Sequence, residues 1–192
     1  MEAVFVCAHG AGGHKDDGAM RRLANALAPH MQVVRFNFPY VAQGSRRPDA
    51  MPVLKAAIEK ETEKVRDGRR LLIGGRSMGG RAASMLAAEG FACDGLLLAA
   101  YPLHPAGKPE KLRCLHLAQI RCPVLCFNGT RDALCERSLM ERTLTTVKAP
   151  WQMHWLEGAD HSFRVLKSSG RTEAQLDAEI GAAAARWLES VR

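Results

Sequence analysis

Six short apolar runs alternate along the chain with stretches whose apolar residues recur at helical spacing. The runs cover residues 4–8, 32–38, 69–74, 95–100, 123–128 and 151–156. The first, Val-Phe-Val-Cys-Ala, is apolar throughout, as a strand buried on both faces requires. Between the first two runs, Met20, Leu23 and Leu27 repeat at helical spacing within 16–30, where Asp16 or Asp17 can cap the start and Pro29 closes the pattern. A helix over about 52–67 has Pro52 near its start and Gly68 after its end. Another follows Ser77 and closes at Gly90, and a fourth covers 134–147. The last, 172–191, is amphipathic through Leu176, Ile180, Ala184, Trp187 and Leu188, with Thr172 as its cap. Residues 40–51 read as a polar loop, and 103–121 as a loop with one short helix within 109–118.

Strands alternating with helices predict an α/β fold: about six mostly parallel strands covered by helices on both faces. No internal repeat and no linker divides the pattern, so residues 1–192 are expected to form one domain. No apolar run approaches the length of a membrane span, and no signal-type segment precedes the first strand, which points to a cytoplasmic protein. The net charge of +7 invites a nucleic-acid reading. The basic residues, however, are scattered in short pairs (Arg21-Arg22, Arg46-Arg47, Arg69-Arg70) without interleaved aromatics, so neither nucleic acid nor a membrane is expected as a partner. Six cysteines lack the density of a disulfide scaffold. Cys114, His116, Cys122 and Cys126 lack the close pairing of a zinc site, and no metal is expected.

A parallel sheet places its ligand site outside the carboxyl ends of its strands. The chemically distinctive residues all fall there. His9-Gly10-Ala11-Gly12-Gly13 follows the first run, Gly75-Arg76-Ser77-Met78-Gly79 the third, Gly129-Thr130-Arg131-Asp132 the fifth, and Gly158-Ala159-Asp160-His161-Ser162 the sixth. Gly-x-Ser-x-Gly between strand and helix is the form of a nucleophile elbow, whose glycines avoid collisions with neighbouring backbone. A serine hydroxyl needs a base, and the base a carboxylate to orient it. Ser77, Asp132 and His161 supply these groups in the chain order that such a sheet imposes.

On these motifs the chain resembles the α/β-hydrolase superfamily, most closely its small dienelactone-hydrolase-like branch that includes the testis-expressed-protein-type predicted hydrolases. The resemblance implies a three-layer α/β-hydrolase core and a triad of Ser77, Asp132 and His161. It also implies an oxyanion hole from the N–H groups of Met78 and Ala11. Only about twenty residues separate Ala100 from Pro123, so no cap domain is expected there, and large lipid substrates are disfavoured.

Several residues compete for roles. The loop at 10–15 fits neither a dinucleotide fingerprint, which would want glycine or alanine where Lys15 stands, nor a Walker loop, which would want Ser or Thr where Asp16 stands. His9 reads as structural, and Asp160 as a weaker rival of Asp132. Tyr101 and His104 follow the fourth run and are expected to line the pocket. Arg76 and Arg131 adjoin the nucleophile and the carboxylate. They would either bind an anionic substrate or pair with carboxylates such as Glu157 or Asp160 as braces. The leading reading is a serine hydrolase of esters, thioesters or similar activated acyl bonds, with a small acyl compound as its substrate and no cofactor. The alternative is a non-catalytic binding or scaffold protein that keeps the fold.

Overall fold

The computed structural model describes residues 3–191. Among these described residues, six strands form one sheet in the order β2-β1-β3-β4-β5-β6, and every neighbouring pair is parallel. The strands are β1 (Ala3–Ala8), β2 (Gln32–Phe36), β3 (Arg70–Arg76), β4 (Gly95–Ala99), β5 (Val124–Gly129) and β6 (Trp151–Leu156). Helices α1 (Gly18–Leu27) and α6 (Glu173–Ser190) cover one face. The other face is covered by α2 (Pro39–Ala42), α3 (Met51–Glu63), α4 (Met78–Ala88) and α5 (Arg137–Leu144).

The apolar run of β1 splits by alternation between the two faces. Val4, Val6 and Ala8 join the cluster with Leu54, Ile58, Leu86 and Met140, whereas Ala3, Phe5 and Cys7 join Met20, Leu23, Leu27, Leu176, Ile180 and Trp187. Burying a large apolar side chain in either layer contributes about 1.5–3 kcal/mol. Of the two candidate caps for α1, Asp17 is the one used: its carboxylate accepts from Met20 N at 2.8 Å. Thr172 and Gln175 form a reciprocal capping box at the start of α6.

Three loop and helix expectations are revised. Residues 40–51 are not all loop, because Pro39 opens a turn of helix that buries Tyr40. The short helix expected within 109–118 is a 3₁₀ turn at Leu115–Gln119. The helix expected from 134 starts only at Arg137. Asp132 holds the preceding residues in a turn, its carboxylate accepting from Leu134 N (2.8 Å) and its carbonyl from Cys135 N (3.1 Å). Among the described residues no cap segment interrupts the sheet and its helices, and no helix is long and apolar enough to cross a membrane.

Candidate active site

β3 delivers Ser77 to the carboxyl edge of the sheet in a backbone conformation that side chains avoid, φ 50° and ψ −115°. Such a conformation costs of order 1–3 kcal/mol and persists only where the surroundings enforce it. Here Ser77 N donates to the Ala99 carbonyl (2.8 Å), and the Ser77 carbonyl accepts from Arg81 N (3.0 Å). The flanking glycines are a steric necessity. A Cβ on Gly75 would stand 2.1 Å from the Ala8 carbonyl oxygen, and one on Gly79 2.5 Å from the same atom.

His161 lies in the turn after β6, with Nε2 3.0 Å from Ser77 Oγ. Its Nδ1 faces the Asp132 carboxylate at 2.8 and 2.9 Å. With the proton on Nδ1 donated to the carboxylate, Nε2 is the acceptor for the serine hydroxyl. The Asp132 side chain is fully buried and that of His161 is 26% exposed. The two loops meet because Gly129 has no side chain, a Cβ there standing 2.1 Å from the Ala159 carbonyl oxygen. Arg131 N then donates to that same carbonyl at 2.9 Å.

A residue that the sequence analysis passed over secures the carboxylate. Asn128, at the end of β5 and fully buried, donates from Nδ2 to Asp132 Oδ2 (3.1 Å) and to the Tyr101 carbonyl (3.2 Å). Its Oδ1 accepts from Tyr101 N at 3.1 Å. The available signal was an amide at the end of an otherwise apolar core strand, since a buried amide must find partners. Asp160 plays a different part. Its Oδ1 accepts from Ser162 N (2.8 Å) and Arg164 N (3.0 Å), closing the loop that carries His161.

The other expected residues divide between the cleft and the scaffold. Met78 is the first residue of α4, so its N–H has no intrahelical partner. Ala11 is exposed in the turn closed by Gly13 N donating to the Gly10 carbonyl (3.2 Å). Gly10 packs on Ser77: a Cβ added there would lie 3.5 Å from Ser77 Cβ. His9 is a fully buried tie. Its Nδ1 donates to the Gly10 carbonyl (2.8 Å) and its Nε2 accepts from Phe38 N (3.2 Å), while burial pushes its pKa down and keeps it neutral.

Tyr101 departs from the expectation of a pocket wall. It is fully buried, and its hydroxyl donates to the Arg113 carbonyl at 2.9 Å. His104 borders a groove beside Asp132, but both ring nitrogens are engaged by backbone, Nδ1 with the Pro105 carbonyl (3.0 Å) and Nε2 with Glu136 N (3.1 Å). Arg76 and Arg131, expected either to bind an anionic substrate or to pair with carboxylates, reach loop carbonyls instead of the carboxylates. Arg76 donates to the His161 carbonyl, and Arg131 to that of Gly158 at 3.2 Å. Burial lowers the Arg76 pKa from its ordinary value, and Asp17, Asp132 and Asp160 partly offset this. Among the described residues no group of three or more His, Cys, Asp or Glu is placed to hold a metal ion.

A lidless parallel sheet with serine, histidine and aspartate meeting at its carboxyl edge defines the α/β-hydrolase class. The sequence profile of the alpha/beta hydrolase domain family matches residues 1–189, and the chain belongs to that family. Among solved structures it resembles a dienelactone hydrolase from Anabaena variabilis, with 17% identity, a TM-score of 0.73, and 98% of this chain and 86% of that one covered. An α/β serine hydrolase without lid from Xanthomonas campestris is similar at 23% identity and a TM-score of 0.73, over 96% of this chain and 81% of that one. Est1E from Butyrivibrio proteoclasticus, solved with ferulic acid bound, is 13% identical with a TM-score of 0.73, over 98% and 90% of the two chains. At these identities the likeness to the three structures is one of fold.

Proposed function

We propose that the protein is a serine hydrolase that cleaves an ester, thioester or similarly activated acyl bond. The observation that carries this reading is the unbroken line from Asp132 through His161 to Ser77, with contacts of 2.8 and 3.0 Å. His161 Nε2 takes the hydroxyl proton as Ser77 Oγ attacks the acyl carbon, and Asp132 stabilises the imidazolium. The N–H groups of Met78 and Ala11 receive the developing oxyanion, and the N-terminal end of α4 adds a favourable field. His161 returns the proton to the leaving group, and water activated by the same imidazole then releases the acyl group. The chemistry needs no cofactor. The uncapped cleft favours a small acyl substrate, and six free cysteines suit a reducing, cytoplasmic setting.

Labelling with a fluorophosphonate probe, followed by turnover of p-nitrophenyl esters, acyl-CoA thioesters and lactones, tests the proposal. We expect one labelled serine, lost in Ser77→Ala, and turnover of at least one ester or thioester class. Labelling that survives Ser77→Ala would sink the assignment. A folded wild-type chain with neither labelling nor turnover would favour a non-catalytic binding role.

A further inference from the structure

On the opposite edge of the sheet from Ser77, two thiols meet. Cys93 lies in the segment that enters β4, and Cys122 directly precedes the start of β5 at Pro123 and Val124. Their Sγ atoms are 3.7 Å apart, and both residues are half-buried rather than sealed in the core. The pairing is fixed by the sheet: Leu96 N donates to the Pro123 carbonyl at 2.9 Å, three residues after Cys93 and one after Cys122. Nothing in the proposed hydrolysis uses this pair.

The surroundings suit thiol chemistry. The pair borders a hollow of about 320 Å³ with Gly90, Phe91 and Arg121 in its wall, so a small reagent can reach the sulfurs. Arg66 donates to the Ala92 carbonyl (3.0 Å) and lies over the Phe91 ring, which places a second cation at the rim. A hydrogen bond joins the two thiols; it lowers the Cys122 pKa, and together with burial it raises that of Cys93. Asp94 opposes ionisation of both, but its carboxylate is engaged by Leu71 N at 2.6 Å. By contrast Cys7, Cys126 and Cys135 are buried, and burial raises the pKa of each.

We propose that Cys93 and Cys122 form a dithiol modification site that hydrogen peroxide converts into an intramolecular disulfide and that a thiol reductant reopens. The Cys122 thiolate attacks one peroxide oxygen, the O–O bond breaks, hydroxide leaves and takes up the proton that Cys122 released to become the first water, and Cys122 becomes a sulfenic acid. The Cys93 sulfur then attacks that sulfur. The S–O bond breaks, the oxygen leaves as water with the Cys93 proton, and the S–S bond forms. Two thiols lose two electrons and the peroxide becomes two waters. A sulfur separation of 3.7 Å exceeds the bond length of about 2.05 Å, so closure needs a small rotation of one or both side chains. The site lies at the amino ends of β4 and β5, away from Ser77, so closure leaves hydrolysis by the proposed machinery essentially unchanged.

Hydrogen peroxide treatment of the full chain, with differential alkylation and peptide mass spectrometry, decides the matter. We expect the peptide containing Cys93 to become linked to the one containing Cys122 and Cys126, with fragmentation placing the bond on Cys122. Dithiothreitol should restore both thiols, and neither Cys93→Ser nor Cys122→Ser should form the link. In Cys93→Ser, Cys122 should proceed instead to the sulfinic acid. Six free thiols persisting under conditions that oxidise an unstructured control peptide would overturn the proposal. So would a bond to Cys114 or Cys126, or a wild-type Cys122 over-oxidised as fast as in Cys93→Ser.

Discussion

At the scale of single residues, the two carboxylates near His161 separate by what they touch. Asp132 accepts from His161 Nδ1, Asn128 Nδ2 and Leu134 N, whereas Asp160 accepts only from the backbone of its own loop. Asp132→Asn should therefore lower kcat by about 10⁴-fold, the loss a triad amide causes by favouring the wrong imidazole tautomer. Asp160→Asn keeps an acceptor oxygen for Ser162 N and Arg164 N, loses only the charge assistance of those bonds, and should stay within about tenfold of wild type. Steady-state kinetics on one ester compares them, and the reverse order would move the orienting role to Asp160. Asn128→Ala should lower kcat and also cost about 1–3 kcal/mol in denaturant unfolding, because it strands the buried Tyr101 N–H, although the Tyr101 carbonyl keeps its bond from Leu103 N.

Secondary-structure elements act on the site mainly through close backbone approach. Gly75→Ala would drive a methyl group into the Ala8 carbonyl of β1, and backbone cannot yield as a side chain can. It should cost about 3 kcal/mol or more in chemical denaturation, beyond the usual range for overpacking. Gly90→Ala, with φ +98° but open space around it, should cost only the conformational penalty of about 1 kcal/mol. Similar losses at the two positions would show that strand contact does not govern the elbow. Arg76 extends the end of β3 to the His161 carbonyl, so it positions the base loop. Arg76→Ala should lower kcat/KM for neutral and anionic esters of equal size alike, together with the melting temperature. A loss confined to the anionic ester would reassign Arg76 to substrate binding.

For the molecule as a whole, two imidazoles, the buried His9 and the half-buried His116, set how stability responds to acid. Burial, helped by the Arg81 cation, pushes the His116 pKa from 6.5 down to about 4, and burial also lowers that of His9. Between those limits the unfolded chain binds more protons than the folded one, so stability rises with pH through this window and falls on acidification. Protonation of His116 should cost about 1–2 kcal/mol once its partial exposure is allowed for. Thermal melts should therefore show a falling midpoint from pH 6.5 towards 4, and His116→Gln should flatten the slope. A midpoint unchanged across that range would mean that both imidazoles are accessible to protons in the folded state.

Much of this architecture is written locally. Apolar runs long enough for strands, helical spacing between them, and the glycines at 75, 79 and 129 determined a parallel sheet with its chemistry at the carboxyl edge, because burial pattern and backbone sterics act over a few residues. The same local rules placed Ser77, Asp132 and His161 at three separate strand ends. What they could not determine is direction and partnership. Tyr101 turns into the core, Arg76 and Arg131 meet carbonyls rather than carboxylates, and Asn128 ties the carboxylate to Tyr101. The Cys93 and Cys122 thiols, 29 residues apart in the chain, touch only because β4 and β5 are neighbours. These are contacts between side chains and backbone brought together by strand order, and a hydrogen bond depends on distances that only the assembled sheet sets.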